Sequence, residues 1–345
     1  MIRRILIAVL LVLLTTGCHR KLDPPVWRFA IEETSGSVQD AYAQKFKELV
    51  EEKSGGKVIV KVYPYGTLGT SDQLSELLYN GSLQFAMASP GHIGKMIPEV
   101  QVLLLHYVFS DDEEVNRKVL KSPEIKNEFN QLFADKGFEM LSVFSEGWQV
   151  WSTNKPIKSP QDFAGVKFRV MTSPLLMAAY EAYGASSTPL AYSEVYSALQ
   201  LKMIDGQVNP VFAIEEMSFY EVNDHLIFAN QAQFYTTCLT NKKFYENLTA
   251  EEKAWVDESI EELSDYIAET QARFNEERLH VIQEKNPDIK IVELTPQERA
   301  AFRQASVPVR EQFKAIAGER GGELLETILK EVERIESEKD RKASE

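Results

Sequence analysis

The sequence predicts an α/β fold in two lobes, with a ligand cleft between them and one long helix bracing both. Three observations predict it. Short strand-like runs alternate with amphipathic helical runs through most of the chain. The 345 residues, 44% hydrophobic with 18 Phe and 13 Tyr, exceed the ~100–200 of a typical domain and supply apolar side chains for two cores. From Thr249 onward, Val256, Ile260, Leu263, Ile267, Thr270 and Phe274 step by four and three, which marks a helix longer than one lobe of this size needs.

The chain opens with an export signal. Arg3 and Arg4 precede an apolar run at 5–14, too short for the ~20 residues of a membrane-spanning helix, and Thr15, Thr16, Gly17 and Cys18 follow. This order resembles the bacterial lipobox, in which the Cys is lipidated, although Leu14 stands four residues before Cys18 where three is usual. Residues 1–17 are therefore expected to be a signal peptide and 18–25 a lipidated tether, stiffened by Pro24-Pro25. Membrane attachment is expected through the N-terminal lipid only, because no second apolar run of spanning length follows.

Residues 26–31 read as a strand, and the polar turn to Ser37 caps a helix over 38–53 whose Ala41, Tyr42, Phe46, Leu49 and Val50 form one stripe. Gly55-Gly56 ends that helix, and the alternation of Val58, Val60 and Val62 predicts a strand over 57–63. A helix over 71–79, a turn at Asn80-Gly81 and a strand over 83–88 follow. Further strands are expected at 138–144, 166–170, 203–207 and 234–240, with helices at 174–183, 193–201 and 211–220. Beyond the long helix come a strand at 289–292 and final helices that start at Thr295-Pro296 and end near 336. The expected division puts 26–146 and 235–274 in the first lobe and 147–234 and 275–336 in the second, with 337–345 a frayed tail.

The formal net charge of −14 disfavours nucleic acid and anionic headgroups as partners, since like charges repel. His19, His92, His106, His225 and His280 have no metal-ligand spacing. Asp111, Asp112, Glu113 and Glu114 stand where a helix would start, a place that favours negative charge without a metal. Neither a nucleophile elbow nor a phosphate-cradling or dinucleotide Gly motif occurs, so neither catalysis nor a cofactor is expected. With Cys18 lipidated, Cys238 has no disulfide partner. An exported, tethered, two-lobed protein of this kind reads as a solute receptor. A receptor for an ATP-driven importer or a signalling system, an exported enzyme and a structural lipoprotein stay open on these grounds.

Specific segments narrow the choice. They are Val166 to Val170 (VKFRV), Tyr183 to Gln200 (YGASSTPLAYSEVYSALQ), Ile204 to Pro210 (IDGQVNP) and Phe219-Tyr220-Glu221-Val222. Together with Tyr63-Pro64, Leu68-Gly69, Gly81-Ser82-Leu83-Gln84 and Ser152 to Ile157, they resemble the solute-binding subunits of TRAP transporters over roughly 26–330. The resemblance implies a periplasmic-binding-protein-like fold, an exported receptor and, as partner, a TRAP-type membrane permease to which captured solute is delivered. It also implies that Arg169 forms a two-pronged salt bridge with a ligand carboxylate, supported by Asn209. A planar guanidinium suits that task because it offers two parallel donors to two carboxylate oxygens.

Tyr192 matches an aromatic position that lines the family's cleft, and Glu194 follows it. Phe212, Phe234 and Tyr235 lie near cleft walls, Trp151 flanks the site, and Glu32, Thr70 and Ser89 fall where the first lobe supplies polar pocket residues. Gln149 replaces a second Arg that many members carry. One Arg and several aromatics imply an organic acid that is a monocarboxylate with an apolar or hydroxylated body, such as an aromatic or branched 2-oxo acid.

Overall fold

The computed structural model describes residues 23–344, so the signal segment and the Cys18 lipidation site lie outside the described residues. The strands are β1 (Val26–Ala30), β2 (Ile59–Tyr63), β3 (Phe85–Ala88), β4 (Phe138–Trp148), β5 (Val150–Thr153), β6 (Lys167–Val170), β7 (Ser186–Pro189), β8 (Gly206–Asn209), β9 (His225–Phe228), β10 (Gln233–Asn241) and β11 (Lys290–Glu293). They form two sheets, in the orders β2-β1-β3-β10-β4 and β11-β9-β5-β8-β6-β7. β1 pairs in parallel with β2 and β3, whereas β10 is antiparallel to β3 and β4. In the second sheet β5 runs antiparallel to β8 and β9, and the other pairs are parallel. The chain crosses between the sheets three times, from β4 into β5, from β9 into β10 and, through the helix at 250–285, from β10 to β11; the Gln149 N–H donates to the Ala232 carbonyl (3.0 Å) where the first two crossings meet.

Local chemistry accounts for the elements around the cleft. Ser37 caps the helix Val38–Lys53 by accepting from the Asp40 N–H, and its Tyr42, Phe46 and Val50 are buried against Phe29 and Phe85 of the first sheet. The helix Ala250–Lys285 begins with a reciprocal Thr249–Glu252 capping box. Its Val256, Leu263 and Ile267 join the first-lobe core beside Phe46 and Phe144, and further along Asn275 and Arg278 bond to the helix Val211–Glu216. The outer face keeps its acids in solvent, with Glu262 and Glu258 near Lys53 at 2.7 and 3.3 Å, pairs that add little stability where exposed.

Residues 90–135 hold elements beyond those expected, although Val115 and Val119, and then Ile125, Phe129 and Leu132, step at helical spacing. The segment at Pro98–Leu104 is a 3-10 helix whose Val100, Val102, Leu103 and Leu104 are all buried, so its apolar residues form a run and not a stripe. The helices Glu113–Lys121 and Pro123–Asp135 follow, the first capped by Asp112, which uses the acidic run as a helix start.

The last helix departs from the expected division. Val309–Ser344 contains one non-helical residue, Gly318, with φ 69° and ψ −166°. The turn there brings Lys314 to 3.3 Å from Glu326, and the later part lies on first-lobe helices, where Arg320 pairs with Glu128 (2.5 Å) and Asp135 (2.8 Å) and Glu336 with Ser110 (2.5 Å). Residues 275–336 are thus shared between lobes. Residues 337–344 are helical where fraying was expected, because Lys339 pairs with Asp112 and Arg334 with Glu331 and Glu338. No helix among the described residues is long and apolar enough to cross a membrane.

Candidate functional site

β6 is buried along its last three residues, and the third of its four, Arg169, is 2% exposed. Nε and Nη2 of Arg169 both donate to the Leu190 carbonyl, at 3.1 and 2.8 Å. Among the described residues it forms no ion pair with a carboxylate; the ionisable groups that bear on it are Tyr192, Tyr65 and Glu194. Burial lowers its pKa to about 10, so it stays a cation at neutral pH. A desolvated guanidinium that holds one backbone carbonyl and no anion carries a penalty of several kcal/mol, which a carboxylate would offset.

Asn209 ends the neighbouring β8, in register with Val150 of β5. Its Nδ2 donates to Gln207 Oε1 (2.5 Å), Gln207 Nε2 donates to Ser152 Oγ (3.0 Å), and Ser152 Oγ donates to Asn223 Oδ1 (2.7 Å). This buried ladder fixes the amide of Asn209 in place. Tyr192 closes the same region, with its ring edge-on to Tyr65 of the first lobe (5.9 Å) and to Phe219 (6.2 Å), and its buried hydroxyl has no partner.

The first lobe answers with acids. Glu33 and Glu146 are both buried, and Gln39, itself fully buried, touches both: its N–H donates to Glu33 (3.3 Å) and its Nε2 to Glu146 (3.0 Å). Burial raises both carboxyls, Glu146 to about 7, and the Glu146 charge raises Glu33 further. The second oxygen of Glu146 has no partner. Glu216 is raised to about 8 by burial and then by the Glu33 charge, and one of its oxygens is buried without a partner. Glu32 accepts from the Ser89 N–H (2.8 Å), burial raises it, and its other oxygen is unpartnered.

The remaining candidates spread out. Gln149 is buried where the strands cross. Trp151 is fully buried, donates to the Tyr180 hydroxyl (3.0 Å) and packs on Phe163 and Phe302 in the second-lobe core. Tyr235 donates to Gln233 (2.6 Å) beside Phe109, and Phe212 sits in the first-lobe core cluster with Tyr42 and Ile267, while Phe234 is half-buried. Ser89 caps the short helix Pro90–Ile93 and its hydroxyl is unpartnered, whereas Thr70 is exposed and makes a capping box with Gln73. Glu194 is exposed and accepts from the Ala191 N–H. Sequence reasoning passed over Glu33, Glu146, Glu216 and Gln207. Glu146 had a signal, since a carboxylate inside a strand with buried neighbours needs a partner or a proton.

Residues 29–315 match the model of the bacterial extracellular solute-binding protein family 7, DctP. The chain belongs to this family. It is 38% identical over 315 residues, 91% of this chain and 92% of the relative, to the ectoine-binding periplasmic protein TeaA of Halomonas elongata. It is 37% identical over 316 residues, 91% and 92% of the two chains, to the ectoine/5-hydroxyectoine-binding protein UehA of Ruegeria pomeroyi. Among solved structures, a TRAP periplasmic solute-binding protein of Marinobacter aquaeolei in an apo open state shares 42% identity over 88% of this chain and 99% of its own, with a TM-score of 0.83. A structure of the Halomonas elongata protein superposes with a TM-score of 0.86 over 90% of this chain and 99% of its own, at 37% identity. The chain is therefore a two-lobed solute-binding receptor of the TRAP type, in a family of bacterial extracellular solute-binding proteins.

Proposed function

We propose that this receptor captures a small cyclic carboxylate that also carries a positive group, of the ectoine type, and delivers it to a TRAP permease. The observation that carries the reading is the buried Arg169 without an acidic partner, beside an Asn209 already oriented by Gln207. Arg169 takes the ligand carboxylate through N–H groups not committed to Leu190, and Asn209 donates alongside. Tyr65, Tyr192 and Phe219 cover the ring. The partner-poor oxygens of Glu146 and its neighbours take the positive group, for which a plain 2-oxo acid has no counterpart. Ectoine, with one ring, one carboxylate and one amidinium, has this pattern, and two relatives of this chain bind it. Lipidation at Cys18 keeps the receptor at the membrane surface.

Isothermal titration with ectoine, 5-hydroxyectoine, succinate and phenylpyruvate tests the reading. Binding of an ectoine-type acid that disappears in Arg169→Ala is the expected result. Retention of affinity in Arg169→Ala overturns the clamp.

A further inference from the structure

The second sheet carries a row of polar side chains on one face. Ser152 of β5 stands in register with Gln207 of β8, and Gln207 in register with Arg169 of β6. Residues directly opposite one another in a sheet share a face, as do alternate residues of one strand, so Asn209 lies on the same face as Gln207. Beyond Ser152 the row is continued by Asn223, just before β9. The hydrogen bonds along it all run one way. Asn209 Nδ2 donates to Gln207 Oε1 (2.5 Å), Gln207 Nε2 to Ser152 Oγ (3.0 Å) and Ser152 Oγ to Asn223 Oδ1 (2.7 Å). Asn223 Nδ2 in turn donates to Asn154 Oδ1 (2.9 Å) and to the Asp205 carbonyl (3.3 Å).

An amide can be turned end for end with little change of shape, so the direction of such a chain is decided where it meets a group with only one role. Here that group is the backbone carbonyl of Asp205, which accepts and cannot donate. It also accepts from the Asn154 N–H (3.1 Å), and Asp205 Oδ2 accepts from the Lys167 N–H at the start of β6 (2.8 Å), which holds the residue between the strands. Each assignment follows from that carbonyl in turn. Asn223 points its NH2 at Asp205 and its oxygen at Ser152. The Ser152 hydroxyl must then donate to Asn223 and accept from Gln207. Gln207 is left with its oxygen toward Asn209, and Asn209 with its NH2 toward Gln207.

We propose that Ser152 and Asn223 are positioning residues for ligand binding: the chain of bonds from the Asp205 carbonyl fixes the orientation of the Asn209 amide, so that Asn209 offers a donor and not an acceptor to the ligand. The inference rests on the reading of Arg169 and Asn209 as the carboxylate site and deepens it, because it supplies the reason that Asn209 suits an anion. One Nδ2 proton is held by Gln207 and the second is left for the ligand. Were the amide turned, its oxygen would stand in place of that donor and face the carboxylate with a lone pair. Burial enforces the orientation. Ser152, Gln207 and Asn223 are all out of contact with solvent, so a turned amide would leave buried groups facing like groups, with no water to satisfy them. Asn209, 7% exposed, is the most open member of the chain and its last.

Neutron diffraction from a deuterium-exchanged, ligand-free crystal tests the direction of the chain. The Ser152 deuteron is expected on the line to Asn223, and the deuterated nitrogen of Asn209 is expected to face Gln207. A Ser152 deuteron on the line to Gln207 overturns the proposal. A double-mutant cycle tests the function, with whichever of ectoine, 5-hydroxyectoine, succinate and phenylpyruvate binds the wild type most tightly as the probe. Ser152→Ala is expected to raise its Kd about five- to tenfold, the contribution of the one donor that it controls. In an Asn209→Ala background the same change should alter Kd by less than about twofold, because nothing remains to be positioned. Equal losses in the two backgrounds show a role in the fold alone and overturn the proposal, as does an unchanged Kd for Ser152→Ala. Asn223→Leu removes the anchor and spares Ser152. It should follow the same pattern, which keeps the cycle decisive should circular dichroism show that Ser152→Ala has not folded. Arg169→Ala separates the two readings. If it retains acid binding while the cycle couples Ser152 to Asn209, the clamp fails and the positioning chain stands; if it abolishes binding and the cycle shows no coupling, the clamp stands and the positioning chain is removed.

Discussion

The two walls of the cleft are built on opposite principles. The second lobe presents one buried cation, Arg169, tied to a backbone carbonyl and to no acid. The first presents buried carboxyls, Glu33 and Glu146, which burial pushes up and which, among the described residues, form no ion pair. Each wall is unfavourable by itself, because each desolvates charge without pairing it. Bringing the lobes together does not cancel the imbalance, since Arg169 is not within ion-pair distance of the acids. On the proposed reading, what cancels it is a ligand with a negative end for one wall and a positive end for the other. The proposed function therefore links closure to a bipolar ligand.

The largest expected effect breaks the cationic wall. Arg169→Met should weaken ligand binding by about 3 kcal/mol or more, roughly a 100-fold rise in Kd, because a buried charge pair loses one partner. The same change should raise the melting temperature of the ligand-free protein, since an unpaired buried charge is removed. Calorimetry and a thermal melt on one preparation check both directions. A loss of binding accompanied by a lower melting temperature would show that Arg169 supports the fold.

A somewhat smaller effect tests the acidic wall through pH. A carboxyl whose folded pKa is raised contributes stability below its unfolded pKa and loses it as pH rises through the folded value. For Glu146 that window runs from the ordinary 4.5 to about 7, and for Glu216 from 4.5 to about 8. Ligand-free stability should therefore decline across this window by on the order of 2 kcal/mol, and Glu146→Gln should flatten the decline. Urea melts at several pH values measure the slope.

Smaller still is the contribution of the support for Arg169. Asn209→Ala should cost about 1 kcal/mol of binding, some five- to tenfold in Kd, as one neutral amide donor is lost to an anion. Thr70→Ala serves as the contrast, because Thr70 is exposed and caps a helix outside the paired charges. It should lower stability by about 0.5–1 kcal/mol and leave ligand affinity unchanged; a change in affinity would return Thr70 to the pocket.

Much of the fold was legible because local and tertiary signals agree. The helices Val38–Lys53 and Ser71–Tyr79 have capped starts and apolar stripes, and their limits match those read from the sequence. The region at 98–104 was not legible, because a segment buried on every side has no polar face to reveal its period. In the site, Arg169 and Asn209 were identified by their motif. Glu33 was passed over for its neighbour Glu32, and only packing reveals the difference: Glu32 is held by the Ser89 N–H, whereas Glu33 reaches Glu146, more than a hundred residues away in the chain. A pair so far apart in sequence leaves no spacing to read. Glu216 lies next to Glu215, and no pattern separates the acid neutralised by two cations from the one left with an unpartnered oxygen.

The return of the chain to the first sheet at β10 also governs the order in which the protein can be assembled. β10 lies between β3 and β4 in the first sheet, yet it follows every strand of the second sheet except β11. A nascent chain that ends before residue 241 therefore has β3 and β4 with an unfilled gap between them, and its first lobe cannot complete a core. Such non-local pairing is slow to form because loop closure precedes the contacts that reward it. For a member of an exported family this delay is useful: the chain commits to its native form only when nearly all of it has been made, and until then it is available to cross a membrane unfolded.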